Sequence, residues 1–174
     1  MKKLFILVVT LLFIQNVSLS NDSVEFNFPD LGWHQVKSPD KQNNKKCFVP
    51  ENQTTEKYTE MLVFTQRQIK TQGITPSIIL QKQLGKDRNN YFDIVPEYIT
   101  RDVNDTMITW CSPSKNTCAV KRAFQGENGV IIVSYINKMP HYSQNMFGRW
   151  SNILSTVKVY KPSEQQKPSN VIDL

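Results

Sequence analysis

Two histidines and three cysteines are all the imidazole and thiol that the 174 residues contain, and that scarcity removes most metal chemistry. A zinc site asks for three or four such ligands, commonly in paired spacing. Here His34, His141 and Cys47 stand apart, and six residues separate Cys111 from Cys118. No C-x-x-C pair, H-E-x-x-H, G-x-S-x-G, P-loop or dinucleotide glycine pattern is present, so the common hydrolase, nucleotide and redox signatures are missing and no cofactor or metal is expected. No apolar run after residue 20 is long enough to cross a bilayer, so no transmembrane segment is expected once the leader is removed. The basic residues are scattered and form no dense stripe, which argues against specific nucleic-acid binding.

The N-terminus is the first informative stretch. Lys2 and Lys3 precede an apolar run from Leu4 to Ile14, and Ser18, Leu19 and Ser20 form a small-x-small site before Asn21. That is the three-part layout of a secretory signal peptide cut near Ser20, with an apolar run too short to span a membrane. No cysteine stands at the cut, so a lipid anchor is not expected. The expected organisation is a signal peptide over 1–20, a single α/β domain over 21–160 and a disordered tail over 161–174, and the expected location is periplasmic or secreted. Loss of both leader lysines lowers the formal charge from +6 to +4. The MKK start has a bacterial cast, so the N-x-[ST] sequons at Asn21, Asn52 and Asn104 are taken as surface polarity.

An exported chain folds where disulfides persist, and that bears on the stretch "TWCSPSKNTCAVKR", residues 109–122. Thr106–Ser112 and Thr117–Phe124 are rich in β-branched and aromatic residues, and Pro113, Ser114, Lys115 and Asn116 between them are turn formers. Folded as a hairpin, the segment sets Cys111 opposite Cys118, within a short adjustment of disulfide distance. A bridge from Cys47 to either partner is the competing pairing. If Cys111 and Cys118 pair, Cys47 is the odd thiol, either buried or open to intermolecular pairing.

Along the rest of the chain, short strands are expected at Trp33–Lys37 and Cys47–Val49, and a longer one at Thr59–Ile69. Thr75 and Pro76 read as an N-cap and first-turn proline, opening a helix that stops near Gly85. A strand is expected from Tyr91 to Val103, with Pro96 marking an edge or a bulge. Residues 130–136, VIIVSYI, begin with four apolar residues without alternation, the pattern of a strand covered on both faces. Met146, Phe147, Trp150, Ile153, Leu154 and Val157 form one helical stripe, capped by Ser143, and Gly148 inside it implies close packing. The expected class is α/β (α+β): an antiparallel sheet covered by helices on both faces.

This order of elements, with Trp33 in the first strand and a final helix running into "WSNILSTVKVY", resembles the PsbP-like family, named after an extrinsic subunit of photosystem II. The likeness spans most of residues 31–160. It implies a three-layer α/β/α sandwich and, for function, an exported binding or assembly module without catalytic residues. The clamped hairpin and polar tail depart from that pattern, no family site residue carries across, and a shared fold does not imply photosynthesis.

The function expected from these observations is a non-enzymatic exported module that binds a protein or a small ligand, such as a secreted virulence-associated factor. Binding is expected at the loop residues Met139, His141 and Tyr142, with Phe26, Phe28 and Tyr58 as further apolar candidates. The alternative is a small secreted hydrolase or ribonuclease using His34 and His141 as acid and base beside Lys138 or Arg149. A third possibility is an envelope assembly component with the tail as tether.

Overall fold

The structure, a computed structural model, describes residues 22–28, 32–38, 45–69, 73–138, 144–160 and 170–174. The expected signal peptide, the loop residues Met139, His141 and Tyr142, the capping Ser143 and residues 161–169 lie outside that set. In chain order the elements are β1 (Ser23–Glu25), β2 (Trp33–Val36), β3 (Lys45–Pro50), β4 (Glu60–Arg67), α1 (Pro76–Asn90), β5 (Glu97–Arg101), β6 (Asp105–Ser112), β7 (Thr117–Gln125), β8 (Val130–Asn137), α2 (Gln144–Ser155), β9 (Lys158–Val159) and β10 (Val171–Asp173). Seven strands form one antiparallel sheet in the order β2-β3-β4-β8-β7-β6-β5, and β1 sits between β10 and β9 in a small second sheet.

The β6–β7 hairpin has the expected register: Cys111 pairs with Cys118 and the two are joined by a disulfide, while Asn116 takes the left-handed turn position. Cys47 is buried and outside the bridge. Side-chain alternation along β7 and β8 feeds two separate cores. Ala119, Ala123, Val130 and Ile132 share one with Ile79, Leu80 and Leu84 of α1; Val120, Phe124, Ile131, Val133 and Tyr135 share the other with Phe147, Trp150 and Leu154 of α2. The stacking of Tyr135 on Trp150, ring centroids 3.8 Å apart, lies in the second core. Arg122 ties α2 to the sheet: its Nε and Nη2 hold Asp105 at 2.9 and 2.7 Å, and its Nη1 donates to the carbonyls of Leu154, Ser155 and Val157. Those carbonyls close a helix end, where a cation is favoured.

Four expectations are corrected. The helix α1 does not stop at Gly85 but runs to Asn90, and the turn past Gly85 is held to the sheet by the buried Asp87, which takes Lys121 and Trp110. Gly148 marks no close packing, since nothing lies within 4 Å of where its Cβ would stand. Residues 91–96 form a turn and not strand, pinned by Asp93, whose carboxylate takes the Ser112 hydroxyl and the Ser114 amide and is thereby held below its ordinary pKa. At the chain end, residues expected to be disordered supply β10: Val24 pairs with Ile172, Leu174 donates to the Asp22 carbonyl, and both Ile172 and Leu174 are buried against the α2 core. Four residues are too few to show a period, but their apolar side chains have a core to fill.

Gly129 leads into β8 at φ +150°, and a Cβ there would collide with the Arg67 carbonyl oxygen. Gly129→Ala is therefore expected to cost about 2 kcal/mol, from backbone strain and the displaced β4 end. Urea unfolding checks this, and an unchanged midpoint would contradict the close approach.

Candidate functional site

Lys121 occupies a position on β7 flanked by Ala119 and Ala123, all three on the side that packs against α1. Strand alternation puts it there, and a lone ammonium cannot stay in such surroundings without a partner. The partner comes from α1: the Lys121 Nζ lies 2.6 Å from Asp87 Oδ2, with both side chains under a tenth exposed. Asp87 also accepts from Trp110 Nε1 at 3.2 Å and from Gln83 Nε2 at 3.5 Å. Burial pulls the Lys121 pKa down, and the Asp87 carboxylate opposes that shift. Lys121 Nζ is a donor to the Asp87 carboxylate.

In register with Lys121 stand Ser134 on β8, then Val63 on β4, then Cys47 on β3. Above this row, beside α1, lies a cleft of about 280 Å³. Alternate residues Met61, Val63, Thr65 and Arg67 of β4 line its floor, and Gln83, Asp87 and Asn90, at i, i+4 and i+7, line its α1 wall. From Met61 to Arg67 the floor spans about 20 Å of extended strand.

The two ends of the cleft differ. At the Met61 end Tyr58, Tyr91, Trp110 and Ile136 make it aromatic and apolar, with Tyr91 and Trp110 rings 5.0 Å apart and the Lys138 ammonium 3.8 Å from the Tyr58 ring. Burial raises the pKa of the Tyr58 phenol, and Cys47 adds to the rise; Tyr91 is raised chiefly by burial as well. The other end carries Arg67 and Lys45. The half-buried Arg67 side chain has no hydrogen bond or ion pair among the described residues. Ser38 Oγ, also on the lining, is buried without a hydrogen-bond partner among the described residues. Unmet donors beside a cleft are sites that a bound group can satisfy.

Among the described residues named as binding or catalytic candidates in the sequence, Tyr58 lines this cleft, and so does the odd thiol Cys47. His34 is exposed on β2, opposite Val49, and is not on the lining. Phe26 is buried and Phe28 half-buried, their rings packed edge to face in the α2 core. Among the described residues no cluster of three metal-ligating side chains occurs, and no helix is long and apolar enough to cross a membrane.

No protein-family model matches the chain, and no curated protein matches it. In structure the chain is similar to cyanobacterial PsbP from Synechocystis sp. PCC 6803, solved in solution, with a TM-score of 0.48 and 11% identity over 83% of this chain and 96% of that one. The likeness is one of fold. It agrees with the resemblance drawn from element order, and at that identity it bears on no function.

Proposed function

We propose that the chain is an exported, non-enzymatic binding module whose cleft takes a small amphipathic organic anion. The observation that carries this reading is the pairing, in one cleft, of an Arg67 guanidinium without a partner among the described residues at one end with an aromatic, apolar floor at the other. A guanidinium presents a planar fork matched to a carboxylate, and the Lys121–Asp87 pair midway carries no net charge of its own. A volume of about 280 Å³ suits a small molecule, at the low end of ligand pockets. Export is supported by the layout of residues 1–20 and by the Cys111–Cys118 bridge, a bond kept in oxidising compartments. The two separate cores, one with each helix, support the three-layer arrangement of helix, sheet and helix.

Indole-3-acetate is a suitable probe, with an aromatic body and one carboxylate, and tryptamine is its cationic counterpart. Calorimetric titration is expected to give binding of the acid, no binding of the amine, and about tenfold weaker binding of the acid to Arg67→Ala, the loss of one charge-assisted contact. Equal affinity for acid and amine, or an unaffected Arg67→Ala variant, would overturn the anion reading.

A further inference from the structure

The rows of the sheet set how far apart the two ends of the cleft stand. Met61 pairs with Ile136, Ile136 with Ala119 and Ala119 with Trp110, so the aromatic end lies in one row across four strands. The next row holds Val63 and Ser134 with Lys121, and the one after it Thr65 with Lys45. Arg67 follows two residues further along β4. Each such step of extended strand is roughly 6.5 Å. A volume of about 280 Å³ drawn out from Met61 to Arg67 makes a slot and not a chamber.

The Arg67 end holds a second donor. Val36 pairs with Cys47, so Ser38, two residues on, stands toward Lys45, and its buried hydroxyl has no partner among the described residues. Between the ends, the opposite charges of Lys121 and Asp87 meet in their 2.6 Å pair. A carboxylate is thus met at the Arg67 end, an uncharged stretch in the middle, and rings at the far end. We propose that the cleft takes an elongated monocarboxylate, with its anion on Arg67, an aryl group on Tyr91 and Trp110, and a straight chain of several methylenes between them lying on Val63. This rests on the anion reading above and adds the ligand's length to it. A compact acid such as indole-3-acetate, with one methylene between ring and carboxylate, covers only part of the slot. Held by Arg67, its ring ends over the Lys121–Asp87 pair, to which the Trp110 N–H is bonded. A longer acid adds the burial of its methylenes and the contact with the Tyr91 and Trp110 rings.

Two isomers test this. 6-Phenylhexanoate and 2-phenylhexanoate have the same composition and the same charge, and differ in the separation of ring from carboxylate. Calorimetric titration is expected to give at least about tenfold tighter binding of the 6-phenyl isomer. Tyr91→Ser, which removes one ring of the far end, should weaken the 6-phenyl isomer about fivefold and leave the 2-phenyl isomer unchanged. Unchanged thermal melts would verify that the variant folds, and the comparison of isomers on the wild type needs no variant. Equal affinity of the two isomers, with Arg67→Ala still weakening both, would overturn the length inference and leave the anion reading standing. Full affinity of Tyr91→Ser for the 6-phenyl isomer would overturn the placement of the aryl group. Binding of neither isomer, or binding indifferent to Arg67→Ala, would overturn both readings.

Discussion

Asp87→Ala is expected to cost about 3–5 kcal/mol at neutral pH, the largest effect of any single change considered, because it strands a buried ammonium. The Lys121 Nζ has Asp87 as its partner at 2.6 Å and sits against Trp110 in a pocket of alanines and isoleucine. Replacing both members, Asp87→Leu with Lys121→Met, should return most of the loss, since removing a buried pair together leaves no uncompensated charge. The pH dependence follows from the lowered Lys121 pKa. Between the folded value and that of an unfolded lysine, the unfolded chain holds a proton that the folded chain lacks, so stability rises with pH across that window. Without Asp87, both influences that keep the proton on Lys121 are gone and the folded value falls further. The deficit of Asp87→Ala should therefore be greatest at neutral pH and shrink as pH is raised. Urea unfolding at both conditions checks it; a loss under about 1 kcal/mol, the range of exposed pairs, would mean that Lys121 reaches water.

Opening the hairpin bridge is the second large effect. With Cys111 and Cys118 seven apart in sequence, replacing both by serine is expected to cost about 2.5 kcal/mol on the chain-entropy model. For a domain of this size that is a melting-temperature drop of roughly 5–10 °C. Reductant should lower the wild-type melt by the same amount and leave the double variant unmoved. Thiol titration of denatured, unreduced protein should find Cys47 alone out of three cysteines. Three titratable thiols in natively isolated material would remove the bridge and, with it, the main structural support for export.

The hairpin was legible because β-branched residues, a proline turn and two cysteines at matched distance all agree on one register. The final helix was legible from its stripe, and the order β2 to α2 from turn residues between apolar runs. The small sheet was not: β1, β9 and β10 have two or three residues each, and their pairing joins residues about 150 positions apart, which no local pattern encodes. Nor was the cleft. Its signal was present as Lys121 at an inward position between Ala119 and Ala123, and as Asp87 three residues after the inward-facing Leu84, two opposite charges where core residues belong. Only the packing of α1 on the sheet brings them together, whereas histidines and loop aromatics stand out from the sequence alone. Of those, His34 stands on an exposed strand and Met139, His141 and Tyr142 lie outside the described residues.

The chain contains three tryptophans, and only Trp110 lines the cleft, its indole N–H bound to Asp87. Trp33 and Trp150 pack together in the other core, rings 5.9 Å apart. Three indole N–H signals in a proton–nitrogen correlation spectrum thus report on both sides of the sheet. Titration with indole-3-acetate is predicted to move the Trp110 signal, saturably, and leave the other two in place. Movement of Trp33 and Trp150 with Trp110 unchanged, or no saturable movement at all, would contradict a ligand site over Lys121 and Asp87.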